Sequence, residues 1–354
     1  MASPTSKDVA SQSDAPASIV CCTVSREDRT EWYSNHFSEY RVDWYLTQYP
    51  NLGILQKLVK RPDLGKIYGS FKAVRLAKQL NAKLLISQEA ELTFWCAFFS
   101  KILGNPTEHV AVAFNYPFLP NALRRIAMTA CFDAVSHFVV SSTVEKQLYR
   151  EYFKIPPARI EVQLWKMGEI YYEPQAALET EDYICAIGRF GRDYKLLIAA
   201  MHQLPHLRLV LVVGANSLNG LEIPPNVKVM TDISPGHAAN ILKFSRFMVL
   251  PLINAKVPTG HITLVTAMKL AKGSIVTNSS GIQDYIQNGR TALTYEAGNL
   301  DSLTQSIAHL WQHPEQCRTL GANAAAFAAK HCSEPLVVQH LSRLLAERGL
   351  LNRR

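Results

Sequence analysis

Residues 257–286 constrain the fold more tightly than any other part of the sequence. Thirty residues contain a Gly-bearing turn at 259–260, a segment at 262–270 with apolar side chains at helical spacing, the run Ser-Ile-Val-Thr-Asn at 274–278 and a second Gly turn at Gly281. A short β-branched run between a helix and a Gly turn is typical of a buried parallel strand. The stretch therefore predicts one helix–strand unit of a parallel α/β sheet.

Apolar runs of strand length alternate with helical segments on both sides of a charged, irregular segment at 165–182. The 354 residues are enough for two domains with separate cores. We predict a disordered tail at 1–18, an N-terminal Rossmann-like domain at 19–164, a linker at 165–182, a C-terminal Rossmann-like domain at 183–333 and a last helical segment at 334–354.

The cysteines and the N-terminal residues indicate the cellular location of the protein. The seven cysteines form no CxxC motif or Cys/His cluster, which predicts reduced core thiols. Residues 1–18 are small and polar without the apolar region of a signal peptide, and the most apolar helix, at 92–103, is too short to span a bilayer. We expect a cytoplasmic protein whose membrane contact, if any, is peripheral and on the inner face of the cell membrane.

The net charge of +8 predicts an anionic partner. Eight basic residues and a single acid, Asp63, lie between 57 and 83, where Lys72, Arg75 and Lys78 form one stripe of a predicted helix. A second basic and apolar segment lies at 119–132. The first is either a solvated helix face or a surface for anionic lipid, and the second is either a helix buried on one face or another such surface. Nucleic acid is disfavoured because the aromatic residues do not interleave with the basic run.

Charged residues follow two predicted strands at the sheet edge where α/β proteins bind ligands. The strand at 183–187 leads into Gly188-Arg189, and Lys195 lies six residues after Arg189. Such a pair of cations suits a diphosphate, whereas Arg192 in the same loop is expected to be solvated. The strand at 84–88 leads into Glu89, which is expected to face a ligand.

The loop, helix, strand and Gly turn of 257–286, together with Gly188-Arg189 and Lys195, resemble the donor half of the retaining glycosyltransferase family 4, also called glycosyl transferases group 1. The resemblance implies the GT-B fold, in which two Rossmann-like domains face a central cleft and the last helix crosses back to the N-terminal domain. It also implies a UDP- or GDP-sugar as substrate and no metal. In that family the corresponding residues contact the nucleotide-sugar donor. In this sequence they are Gly188, Arg189, Lys195 and the backbone N–H groups of Gly260, His261, Ile262 and Thr263.

The chain departs from the family at two positions. The family usually has two glutamates with seven residues between them, and this sequence has Pro258 and Thr266 in their places. Thr266 could replace the ribose contact only in part, and Asp284 is a candidate for the remainder. An inverting mechanism would need a carboxylate base, for which Glu89 is the first candidate, with Glu91 and Asp28 behind it.

The sequence therefore predicts a glycosyltransferase that moves a sugar from a nucleotide diphosphate sugar to a glycan or lipid-linked acceptor, in bacterial-type polysaccharide or glycolipid assembly. Arg189 and Lys195 would stabilise the negative charge that grows on the diphosphate. Two alternatives stay open. The missing glutamates also fit a non-catalytic GT-B scaffold subunit, and a sugar-nucleotide epimerase would form product with no acceptor.

Overall fold

The computed structural model describes residues 15–23, 30–48, 63–173, 182–253 and 257–354. Several sequence predictions lie outside the described residues, namely those for tail residues 1–14, Asp28, basic residues 57–62 and linker residues 174–181.

The first sheet has six strands in the order β2-β1-β3-β4-β5-β6. They are β1 Ala17–Thr23, β2 Val42–Gln48, β3 Leu84–Gln88, β4 Glu108–Val112, β5 His137–Val140 and β6 Ile160–Val162. The helices of this half are α1 Thr30–His36, α2 Leu64–Gln79, α3 Ala90–Leu103, α4 Ala122–Phe132 and α5 Thr143–Tyr152.

The second sheet also has six strands, in the order β12-β11-β10-β7-β8-β9, and its strands pair in parallel. They are β7 Ile184–Gly188, β8 Leu209–Val213, β9 Val227–Thr231, β10 Met248–Leu250, β11 Ser274–Thr277 and β12 Leu293–Tyr295. The helices are α6 Tyr194–Gln203, α7 Pro235–Phe244, α8 His261–Lys269, α9 Leu300–Gln312, α10 Pro314–His331 and α11 Pro335–Ala346.

Both faces of the second sheet are buried, as the continuous apolar runs of its strands predict. Ile184 and Ala186 on β7 contribute to one core cluster, whereas Cys185 between them contributes to another on the opposite face. This alternation follows from the two-residue period of a strand. All seven cysteines are buried free thiols, as predicted.

Side-chain caps decide where several helices begin. We predict a helix over 119–132, but α4 begins at Ala122, because Pro120 precedes it and the Asn121 side chain accepts a hydrogen bond from the Arg124 N–H at 3.0 Å. Likewise the sequence predicts a helix over 196–204, but α6 begins at Tyr194, because the Asp193 side chain accepts a hydrogen bond from the Leu196 N–H. The apolar residues at 110–114 predict a strand, but β4 ends earlier, at Val112, because Ala113 turns the chain at φ +51°.

Packing divides the chain into two compact units. The first comprises residues 1–110, 134–136 and 341–354, and the second comprises 111–133 and 137–340. In the first unit the C-terminal segment is held by Arg348, whose Nε donates to Glu108 at 2.8 Å. The second unit contains α4, α5 and the whole second sheet. No helix within the described ranges is long and apolar enough to cross a membrane.

Candidate active site

The end of strand β7 is covered by the guanidinium group of Arg192. A Cβ atom on Gly188 would lie 2.5 Å from the Arg192 Nε, so only glycine leaves room for this contact. Arg192 Nη1 donates to the Phe190 carbonyl at 2.8 Å, and Nη2 donates to Thr263 Oγ1 at 3.1 Å. The loop after β7 thus fixes an arginine against helix α8.

Helix α8 presents its N-terminus at the same place. Gly260 occupies the N-cap at φ +98° and has no side chain to accept hydrogen bonds from the first turn, which contains His261, Ile262 and Thr263. Unpaired N–H groups and the helix dipole give such a terminus a partial positive charge. Arg192 adds a full positive charge through its contact with Thr263. Together these two features concentrate positive charge of the kind that suits an anionic ligand.

The prediction that Arg192 is solvated is therefore wrong. Burial lowers the pKa of its guanidinium, although arginine stays charged in proteins. Its Nε is buried and has no hydrogen-bond partner in the part of the chain that the structure describes. Sequence spacing favours Lys195, but the tertiary fold places Arg192 beside α8. The sequence signal that could have identified Arg192 is the glycine before it. Gly191 has φ +68°, which lets the chain turn back at this point.

Arg189 and Lys195 are both exposed. The Arg189 side chain extends beside the end of β8, with its Cγ 3.8 Å from the position of a Cβ on Gly214. Lys195 is the second residue of α6. Both cations lie close in sequence to Gly188, and only Arg192 of the three makes a hydrogen bond to α8.

His261 and Thr266 make internal contacts with their side chains. The His261 ring is buried, with Nε2 3.0 Å from the Gly281 carbonyl and the ring 4.8 Å from that of Tyr285. Burial lowers its pKa, so Nε2–H of a neutral imidazole donates to Gly281. Thr266 Oγ1 donates to the Ile262 carbonyl at 2.7 Å. His261 therefore offers a ligand its backbone N–H, and the Thr266 hydroxyl hydrogen is already engaged.

Asp284 lies at the N-terminus of helix α5. Its Oδ2 accepts from the Thr143 N–H at 2.7 Å, and both its oxygens are 3.0 Å from Thr143 Oγ1. An acid at this position satisfies an unpaired N–H group of the first turn. The structure thus gives Asp284 a capping role that its sequence context does not reveal.

Glu89 lies in the first unit, directly after strand β3. It has φ +64° and ψ 161°, a conformation that costs a residue with a side chain about 1–3 kcal/mol. Its carboxylate is 31% exposed and forms an ion pair with Lys66, whose Nζ is also 3.7 Å from Glu91. Burial raises the pKa of Glu89, and Lys66 opposes that rise. A strained, partly buried acid with a raised pKa has the properties of a general acid or base.

Glu145 is a buried acid that the sequence pattern does not single out. It lies on α5 with no exposed surface, and its Oε2 accepts from the Ser141 N–H at 2.7 Å while Oε1 accepts from the Asn115 amide. Burial raises the pKa of Glu145 to about 7, against the lowering effect of these donors. The only available sequence signal is the capping pattern that begins at Ser142.

No three His, Cys, Asp or Glu residues in the described segments are arranged to hold a metal ion.

The sequence and the fold are both similar to those of known proteins. Residues 170–327 match the model of the family Glycosyl transferases group 1, whereas no curated protein matches the sequence. The structure is similar to sucrose-phosphate synthase from Thermosynechococcus elongatus, with a TM-score of 0.70, 14% identity and coverage of 94% of this chain and 98% of that one.

Two further solved structures are similar over their whole lengths. HepE of Anabaena in complex with UDP-glucose has a TM-score of 0.70 at 14% identity, with coverage of 93% of this chain and 99% of that one. A glycosyltransferase from Rickettsia africae has a TM-score of 0.68 at 14% identity, with coverage of 94% and 98%.

The observed fold and the family match both point to known glycosyltransferases. The two parallel six-stranded sheets confirm the predicted α/β architecture, and similarity at 14% identity across almost the whole chain shows a shared fold. Residues 170–327 match the model of the Glycosyl transferases group 1 family, and together with the shared fold this match identifies the chain as a glycosyltransferase of the GT-B fold.

Proposed function

We propose that this glycosyltransferase transfers a sugar from a nucleotide diphosphate sugar to a glycan or lipid-linked acceptor, in bacterial-type polysaccharide or glycolipid assembly. The observation that carries the proposal is the position of Arg192 at the N-terminus of α8, inside the family-matched segment. A diphosphate is the anion that a guanidinium fork and a helix terminus suit together. HepE, which has a similar fold, is bound to UDP-glucose in its structure.

In the proposed site the diphosphate lies against the backbone N–H groups of residues 260–263 and against Arg192. Gly188 leaves room for the guanidinium, and the exposed Arg189 and Lys195 add positive charge around the same strand end. Breaking the bond between the anomeric carbon and the phosphate oxygen increases negative charge on the diphosphate. Fixed cations and N–H groups stabilise that charge without reorganisation, which is the main source of rate enhancement in such a site.

The ribose and sugar would be held without the usual glutamate pair. Thr266 and Asp284 are the candidates from sequence for the ribose contact. Thr266 Oγ1 donates its hydrogen to the Ile262 carbonyl. Its lone pairs can still accept a hydrogen bond from a ribose hydroxyl. Asp284 already receives two hydrogen bonds from Thr143, so it would have to share its oxygens.

Glu89 is the proposed acid or base for the acceptor hydroxyl. Burial raises the pKa of Glu89 towards neutral pH. A carboxylate with a higher pKa is a stronger base for the acceptor hydroxyl proton. Lys66 keeps the carboxylate ionised and oriented through the ion pair.

A location on the inner face of the cell membrane is part of the proposal. Helix α2 exposes Lys72 and Arg75 together with Tyr68, which is 55% exposed. On α4, Leu123 is 81% and Ile126 64% exposed, next to two arginines. Cations beside exposed apolar side chains suit an anionic lipid surface, where each cation contributes about 1 kcal/mol.

One observation favours a second function, that of a non-catalytic scaffold. Pro258 and Thr266 lie where the family usually has two glutamates. A chain that had lost catalysis would no longer need those glutamates but would keep the fold.

The two functions differ in whether a nucleotide sugar is consumed. We would incubate the full chain with UDP- and GDP-sugars, with and without anionic lipid vesicles and a lipid-linked glycan acceptor, and measure release of UDP or GDP. Release that requires an acceptor supports transfer. Nucleotide binding without release supports the scaffold, and the absence of any nucleotide binding would refute the proposed donor site.

A further inference from the structure

The buried carboxylate of Glu145 is surrounded by hydrogen-bond donors. Besides the Ser141 N–H and the Asn115 amide, Ser142 Oγ lies 3.4 Å from its Oε2. The Oε1 atom that faces Asn115 is a hydrogen-bond acceptor. Glu145 therefore fixes the orientation of the Asn115 side chain, because the NH₂ group of the amide must face it.

The same Asn115 nitrogen is 3.5 Å from the carbonyl oxygen of Pro258. An amide NH₂ group has two hydrogens, so it can serve Glu145 and Pro258 together. Proline has no backbone N–H, so this carbonyl is the only hydrogen-bonding group that Pro258 has. Asn115, Glu145 and Pro258 all belong to the second compact unit.

Pro258 is also held from another direction. A Cβ atom on Gly281 would lie 2.5 Å from the Pro258 Cβ, so the proline ring packs directly on the glycine backbone. The Gly281 carbonyl in turn binds His261 at the start of α8. Pro258 is two residues before Gly260, the N-cap of α8.

We propose that Asn115 is a positioning residue: its amide, oriented by Glu145, holds the Pro258 carbonyl and thereby fixes the loop that presents the α8 N-terminus to the donor diphosphate. The proposal rests on the donor site proposed above for the role of the loop, but the contact itself does not depend on a nucleotide.

Two substitutions separate positioning from general stabilisation. Both N115A and S142A remove a donor from Glu145. S142A also removes the N-cap of α5, and only N115A removes the contact with Pro258. We therefore expect both variants to lose thermal stability. Only N115A should loosen the loop.

The first measurement is amide hydrogen exchange of the free full chain, for peptides that cover residues 257–268. We expect exchange at least about tenfold faster in N115A than in the wild type at a temperature well below unfolding, and wild-type exchange in S142A. The second measurement is the Kd for UDP, which should rise about tenfold in N115A only.

Equal exchange in the two variants, whether fast or slow, would overturn the proposal even if the chain binds no UDP. Absence of UDP and GDP binding by the wild type, with the exchange difference present, would instead refute the donor site while leaving the positioning contact intact. Faster exchange in N115A with an unchanged Kd would show that the loop is held but does not shape the site, and so would also refute the proposal.

Discussion

Replacing Arg192 by alanine tests the proposed donor site most directly. The side chain is half-buried, and its Nη2 reaches Thr263 at 3.1 Å at the start of α8. A partly desolvated charged hydrogen bond contributes about 1.5–3 kcal/mol, which corresponds to roughly 10- to 150-fold in affinity. The exposed Lys195 should contribute about 0–1 kcal/mol, at most about fivefold.

Isothermal titration of UDP and of GDP into the full chain measures these differences. We expect R192A to weaken binding by the larger factor and R192K to recover only part of it, because lysine keeps the charge but lacks the planar fork. R318A, which removes an exposed arginine paired with Glu315 on α10, is the matched control and should bind as the wild type does. Thermal unfolding of each variant separates lost binding from lost folding.

The opposite ranking would refute the reasoning. If R192A changed the Kd by less than about threefold while K195A changed it by more than about tenfold, the spacing in sequence would have identified the phosphate cation and the tertiary contact with Thr263 would not matter.

Three further predictions follow from buried or exposed side chains. Burial raises the Glu145 pKa from 4.5 to about 7, so its protonated form stabilises the fold below pH 4.5, and that stabilisation, about 3 kcal/mol, is lost as the pH rises through 7. Urea unfolding at pH 5 and pH 8 should show a smaller loss for E145Q than for the wild type, and an equal loss would contradict this. E89Q should lower kcat by about 100-fold or more without changing the Kd for UDP, whereas E91Q should have less effect; equal effects would exclude a specific role for Glu89. Replacing Leu123 and Ile126 by aspartate should weaken binding to phosphatidylglycerol vesicles by about 100-fold in a sedimentation assay, and wild-type binding by that variant would exclude α4 as the lipid surface.

Much of the fold could be predicted because its signals are local. The apolar run at 84–88 predicts β3 with the bounds that the structure shows, and the periodicity at 300–312 does the same for α9. Hydrophobic period and Gly turns depend on neighbouring residues, so they can be read without the tertiary fold. The first residue of a helix is predicted less accurately where a capping side chain determines it, as Asn121 does for α4.

The sequence by itself determined the α/β class, the place of the Gly188 loop at a strand end and the loop–helix unit that contains Gly260. Only the tertiary structure decided which side chains meet there. Arg192 and Thr263 are 71 residues apart, and Thr143 and Asp284 are 141 apart. The role of each of these polar groups depends on the distant partner that satisfies its charge or hydrogen bond, and no local pattern contains that information.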